Sequence, residues 1–277
     1  MAQIGDLTTL EAVIDWVNTS GQAYPPGDDG KLAHLITSAS RFVRSYLVSP
    51  IVPATYVEKR NGTGTNALFL RNRPVVSVAA LLIANVPQDP AVNTDGSGWK
   101  NDDTTIYVPG TFFPCGTLNV QVTYTAGYQA TAPIEIPGTD GNSLSVHDLQ
   151  GTSLVDGTPA WTWNSDQGVA LSDGTALALV KTAPAAGQYQ LVEKAGKWSY
   201  AFNAAQAGAQ ATVTYGYTPA DLQEAVTELV AERFKTRNRI GQNSVNMGNG
   251  QTVSFSTKDM NDYIKGVLQN YKNVVPV

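Results

Sequence analysis

Residues 218–239, TPADLQEAVTELVAERFKTRNR, read as a helix entered directly from a strand that ends in Tyr215 and Tyr217. Pro219 suits the first helical turn, where a missing N–H costs nothing. Asp221 and Glu224 place negative charge near the positive helix end. Leu222, Ala225, Val226, Leu229, Val230 and Phe234 follow at three- and four-residue steps and form one continuous apolar stripe. Arg233, Lys235, Arg237 and Arg239 gather at the far end, where they complement the helix dipole. The chain is organised around this helix, and nothing in it is chemistry.

Three other helical patterns stand ready to pack on it. The first opens at Thr8 and Glu11, spaced as a capping box, and buries Leu10, Val13, Ile14 and Val17. The second begins near Asp29, after a turn rich in proline, glycine and acid, and repeats Leu32, Leu35, Ile36, Ala39, Phe42, Val43 and Tyr46 until Ser49-Pro50. Arg41 and Arg44 share another face of it, which either pairs with acidic groups of a neighbouring subunit or, the reading preferred, is simply solvated. The last is capped by Ser256 or Thr257 and carries Met260, Ile264, Val267, Leu268 and Tyr271.

Between the second helix and the central one the texture is that of strands. Residues 55–60 and 67–71 flank Asn61-Gly62-Thr63-Gly64, a hairpin signal. Residues 75–84 and 105–108 add strands, with a polar loop containing Trp99 between them, and 118–124 alternate apolar and polar side chains most clearly. The end of that last strand, VTYTAGY, is echoed by VTYGY at 213–217. The echo brackets residues 129–212, a block poor in charge and rich in glycine, threonine and alanine. Residues 160–163, 176–181, 189–193 and 198–202 read there as short strands of a small antiparallel sandwich. The expected organisation is a discontinuous core, 1–128 with 213–277, and a domain inserted over 129–212. After the central helix, 240–256 is dominated by asparagine, glycine and serine and reads as a loop or hairpin arm that orders on assembly.

Composition narrows the function. The 277 residues, 42% of them hydrophobic, are enough for a real core, and the net charge of −5 argues against a general phosphate-binding surface. One cysteine, Cys115, excludes an internal disulfide framework. The opening residues lack a signal-peptide pattern and no stretch has transmembrane length, so a soluble protein made in a cytoplasm is expected. His34 and His147 are the only histidines, and neither has metal-ligand spacing. Asp28-Asp29, Asp102-Asp103 and Asp140-Gly141-Asn142 sit in turn contexts where acids are common. With neither a nucleophile elbow nor a phosphate-binding glycine loop, no catalytic residue, metal ligand or cofactor is expected. The 233–239 cluster is too short to read bases, so any DNA contact is non-specific.

Two N-terminal helices, a compact β region ending in VTYTAGY, the helix TPADLQEAVTELVAERFKTR, a glycine-rich arm with VSFS and a last helix ending VLQNYK occur in that order. Together they resemble the head-tail connector, or neck adaptor, proteins of tailed bacteriophages, over residues 7–128 and 215–271. The inserted block departs from a minimal adaptor. The resemblance implies an α+β fold: a four-helix adaptor core with a small antiparallel β region, plus an inserted all-β, Ig-like or sandwich domain. It implies a structural virion protein that forms a homo-oligomeric ring, about twelve-fold, from heterologous contacts beneath the portal vertex. Double-stranded DNA would pass through the ring without being read, with portal protein on one side and a stopper or tail-completion protein on the other. Location at the head-tail junction, assembly in the host bacterial cytoplasm and no membrane partner complete the expectation. The interface residues it implies are Arg233, Lys235, Arg237 and Arg239 at the helix end, Asn243, Met247, Val253 and Phe255 in the arm, and Tyr271, Val274, Val275 and Val277 at the terminus. The alternative is a phage accessory protein whose inserted domain binds capsid, collar or glycan. Trp161 with Trp163, and Trp198 with Tyr200, share strand faces that either stack on a ligand or fill a sandwich core.

Overall fold

The structure, a computed structural model, describes residues 3–19, 24–25, 27–92, 98–138, 142–149, 154–155, 158–159, 161–194, 197–237, 244–246, 252–254 and 260–272. Two helices open the chain, α1 (Leu10–Thr19) and α2 (Asp29–Leu47). Strands β1 (Ala54–Gly62), β2 (Ala67–Phe69), β3 (Val75–Ile83), β4 (Val86–Gln88), β5 (Lys100–Asn101), β6 (Thr105–Tyr107) and β7 (Gly116–Ala126) follow. Next come β8 (Gln129–Glu135), β9 (Ser143–Ser145), the short α3 (Val146–Leu149), β10 (Leu154–Val155), β11 (Thr158–Pro159) and β12 (Trp161–Leu171). Strands β13 (Ala176–Val180), β14 (Gln188–Lys194), β15 (Lys197–Phe202) and β16 (Gln210–Pro219) lead into α4 (Ala220–Thr236). Strands β17 (Ser244–Asn246) and β18 (Thr252–Ser254) and helix α5 (Asp262–Tyr271) close it.

The expected α+β fold built on a four-helix core is not what the chain forms. Strand outweighs helix, and the largest element is a curled seven-stranded sheet in the order β8-β16-β12-β13-β14-β15-β9. A four-stranded sheet, β1-β7-β3-β4, and a three-stranded one, β2-β6-β5, make a second β unit. The reason lies in residues that periodicity reads poorly. The stretch 129–135, short of strong apolar alternation, is the edge strand β8, and 161–171 is one eleven-residue strand bent by bulges between Trp163 and Ser165 and between Asp166 and Gly168. The helices form one layer on this β body.

Helix α4 organises that layer. Leu222, Ala225, Val226, Leu229, Val230, Ala231 and Phe234 are buried, and α4 touches α1, α2, α5 and strands β12 and β16. Pro219, last residue of β16, is also its N-cap residue, so strand becomes helix without a loop. Residues 5–8 stitch the layer together. Gly5 N donates to Asn164 O at 2.7 Å, Leu7 N to Ser40 Oγ at 2.9 Å, and the hydroxyls of Thr8 and Thr227 meet at 2.6 Å. This use of Thr8 displaces the expected capping box. Thr9 caps α1 instead, accepting from Ala12 N at 3.2 Å, and Glu11 pairs with Lys197 at 3.1 Å. For α5 the cap is Asn261, whose Oδ1 accepts from Ile264 N at 2.7 Å. The Ser256 and Thr257 expected as caps lie outside the described residues.

The hairpin expected at Asn61-Gly62 is absent, because β1 pairs with β7 and β2 with β6. Gly62 answers to crowding instead: a Cβ there would lie 1.9 Å from Pro114 O. Gly127, between β7 and β8, combines φ of +133° with a Cβ position 2.6 Å from Pro53 Cα. Gly127→Ala is expected to cost roughly 2 kcal/mol or more of unfolding free energy, measured by denaturant titration.

Asp6, buried beside Thr37, has its carboxyl raised above the usual value, first by burial, while the N–H of Gln3 and the Thr37 hydroxyl oppose the rise. A raised folded-state value means that its favourable contribution is complete below the ordinary carboxylate pKa of about 4 and is lost as pH rises through the folded value. Asp6→Asn keeps an acceptor but does not titrate. The stability difference between wild type and Asp6→Asn should therefore shift toward wild type as pH falls from 7 to about 4. A pH-independent difference would show that the carboxyl titrates normally.

Candidate assembly interface

Those of the implied interface residues that the structure describes fall at the two ends of α4 and in the hairpin after it. At the C-terminal end Arg237 is held from three sides: Nη2 on Asp28 Oδ2 at 3.0 Å, Nη1 on Phe234 O at 3.1 Å, and the guanidinium 3.6 Å from the Phe234 ring centroid. Asp28 also takes Lys31 at 2.8 Å, and that hydrogen bond is the main reason its carboxyl is held below the usual range. Arg233 lies over the Phe42 ring at 4.8 Å. Tyr24 closes the same corner, packing on Phe234 at 5.7 Å and donating to Asp29 at 2.9 Å. Arg233, Lys235 and Arg237 are all half-buried. Arg237 and Arg233 thus tie α4 to α2, a role the helix-dipole argument did not reveal.

At the N-terminal end Tyr271 of α5 donates to Asp221 Oδ1, and its ring meets Tyr128 edge-on at 6.0 Å. Tyr128 in turn meets Tyr217 at 5.8 Å, and Tyr217 N donates to Tyr128 O at 3.0 Å. The sequence echo therefore has a structural cause: its two tyrosine-bearing ends lie side by side where the sheet meets the helices. Burial and the Asp221 carboxylate both push the Tyr271 hydroxyl up.

Of the arm, β17 and β18 pair from Ser244↔Ser254 to Asn246↔Thr252, placing the backbone of Val253 in a hairpin. Arg239, Asn243, Met247, Phe255, Val274, Val275 and Val277 lie outside the described residues. The structure thus brings Tyr271 to one end of α4 and Arg233, Lys235 and Arg237 to the other. Sequence reasoning missed Asp28, Phe42 and Asp221 as their partners. Asp28 lies 209 residues from Arg237, a separation over which no local pattern carries information.

In the 129–212 block the side chains of Trp163, Tyr189, Tyr200 and Phe202 turn inward. Trp163 is 5% exposed and Tyr200 fully buried, and Trp198 packs on Trp163 at 6.1 Å. Asp166 gathers them from the β12 bulge, accepting from Tyr189 at 2.6 Å, Tyr200 at 3.1 Å and Gly168 N at 3.1 Å, while Trp163 Nε1 donates to the Tyr200 hydroxyl at 3.2 Å. The side chain of Trp161 lies outside the described residues. Among the acidic pairs, Asp102 is occupied by its own turn, accepting from Thr104 N and Thr105 N at 2.7 Å and from the Tyr107 hydroxyl at 2.9 Å. Among the described residues no group of three or more His, Cys, Asp or Glu is placed to hold a metal ion, and no helix is long and apolar enough to cross a membrane.

Residues 6–138 match the family model described as head completion protein. No curated protein matches the sequence. Similar solved structures include a chain from the neck of an empty GTA particle computed with C6 symmetry, at 11% identity and a TM-score of 0.42, covering 100% of this chain and 95% of that one. Another comes from the virion of a native gene transfer agent particle, at 12% identity and a TM-score of 0.37, covering 100% and 97%.

Removing the Arg237 side chain is expected to loosen the α2–α4 corner. Arg237→Ala should cost about 1–2 kcal/mol in denaturant unfolding, and Arg237→Lys should recover little, because an ammonium cannot make the forked and stacked contacts together.

The family match over α1, α2 and the first β unit bears out the resemblance read from the sequence: over residues 6–138, just under half of its length, the chain is similar to head completion proteins.

Proposed function

We propose that the protein works as a ring in the virion neck, at the head-tail junction, with portal protein on one side and a stopper or tail-completion protein on the other. DNA passes through the ring without being read. The observation that carries this reading is the head completion region itself, which spans both N-terminal helices and the whole first β unit. Charge supports it, since a surface with a net charge of −5 lets a polyanion pass without retaining it. The role is mechanical, with no reaction and no cofactor.

Within this reading residues 129–212 are an insert on the connector, acting as spacer or protein-docking block. The inward packing of Trp163 and Tyr200 favours a core over a glycan platform for that pair. The interface residues are those at the ends of α4 and in the arm, and assembly takes place in the host bacterial cytoplasm.

Electron microscopy of particles carrying the chain, with antibody labelling and class averaging of the neck, tests the proposal. Label at the head-tail junction together with a ring of matching diameter is the expected result. Label on the capsid shell or tail tip, without rings, would overturn it.

A further inference from the structure

The helical layer carries opposite charge on two of its flanks. On one, α5 runs antiparallel beside α4: Tyr271 reaches Asp221 at the start of α4, while Asn261 Nδ2 donates to Glu228 at 2.8 Å and Glu232 at 3.1 Å further along. Asp221 and Glu224 are exposed and Glu228 half-exposed on the stripe of α4 that its neighbours leave open. Tyr263 of α5, 53% exposed, stands in their field, its hydroxyl pushed up first by Glu224 and then by burial, Glu228 and Asp221. Lys265 does not neutralise the ridge, since residues two apart on a helix point about 200° apart.

On the other flank a groove of about 390 Å³ lies between the end of α2 and the start of β1, walled by Val48, Pro50, Ile51 and Val52. Arg44 lines it, with its guanidinium close against Gly5, and Arg41 is exposed one turn earlier. The acidic group near both arginines is Asp6, which is buried. Tyr46, two residues beyond Arg44 and so on the opposite side of α2, carries Lys272 from the end of α5 at 4.9 Å. The groove therefore faces away from α5. At its rim Val48 is 65% exposed with φ of 53°, an outlying backbone for a β-branched residue, and such strain concentrates at clamps and contact points.

We infer that the acidic α4–α5 ridge around Glu224 and Tyr263 of one copy seats in the Arg44 groove of the next. This rests on the ring reading and names its subunit contact. Two different faces of opposite sign make a heterologous contact, which leaves one of each open on every pair and so propagates until it closes. A face-to-itself dimer would oppose like charges, which complementary interfaces avoid.

The test uses the full-length chain in assembled particles, with Cys115→Ser and both Arg44→Cys and Glu224→Cys, treated with a short bismaleimide. A covalent ladder extending beyond the dimer is expected, with none in either single-cysteine control. A labelled neck without a ladder would overturn the contact and leave the ring standing, whereas a neck without label would remove the ring reading too. If the cysteine chain does not assemble, charge reversal decides. Arg44→Glu and Glu224→Arg, each melting like wild type, should separately lower the yield of tailed particles about tenfold, and together restore it to within about threefold. A double reversal no better than the singles would overturn the proposal.

Discussion

Strand β16 becomes helix α4 without a loop, and this continuity sets the geometry around it. Pro219 makes the switch feasible, ending a ladder and starting a helix at one residue. Because β16 is fixed between β8 and β12, α4 has little freedom in direction, and α1, α2 and α5 must come to it. Burying each large aliphatic side chain of α4 contributes about 1.5–3 kcal/mol, so the helices gain most by surrounding it. Gly216, in the same strand, has no room for a side chain: a Cβ would lie 2.2 Å from Ser165 Oγ and 2.5 Å from Pro53 Cδ. The segment leading into β1 and the large sheet thus meet at a point where only backbone fits.

The polar groups at this junction are matched in pairs. Asn164 Nδ2 donates to Thr218 Oγ1 at 3.2 Å, and Thr162 donates to Gln223 of α4. Leaving any of these buried groups unmade costs more than making it gains, so the pairs fix register more than they add stability. The same logic explains Asp166, whose carboxylate takes two tyrosine hydroxyls and one backbone N–H inside an otherwise apolar cluster. Residues 104–134 carry no charge at all, and β7 lies wholly within that stretch. Its tyrosine is satisfied by Glu58, reached at 2.6 Å from the Tyr124 hydroxyl.

What the sequence made legible follows from range. The stripes of α2 and α4 and the alternation of β7 are local repeats of 3.6 and 2 residues, and each produced an element close to where it was expected. Strand β8 and the full length of β12 carried weak repeats, because alanine, threonine and glycine serve both faces of a bulged strand, and that gap turned a β-rich molecule into an expected helical core. Pairings across long separations were closed to local reading. Gly62 signalled a turn by composition, yet its cause is the carbonyl of Pro114, fifty-two residues away in a neighbouring strand's approach. Thr8 had the spacing of a cap, but Thr227 offered it a buried partner and Thr9 was next in line.

The same distinction bears on assembly. A basic residue near the end of a helix has two competing uses, one internal and one external, and sequence position cannot choose between them. Arg237 is committed inward, since an ion pair, a carbonyl and an aromatic ring leave its guanidinium few free donors. Contacts between copies must be built from groups that the fold leaves over. Arg44 and Glu224 meet that condition: one lines an open groove, and the other stands exposed on a helix otherwise almost fully covered. The fold thus sorts its charges, drawing some into staples such as Arg237–Asp28 and leaving others of opposite sign exposed on different flanks, and in the proposed ring it is this second group that would set the direction in which one copy meets the next.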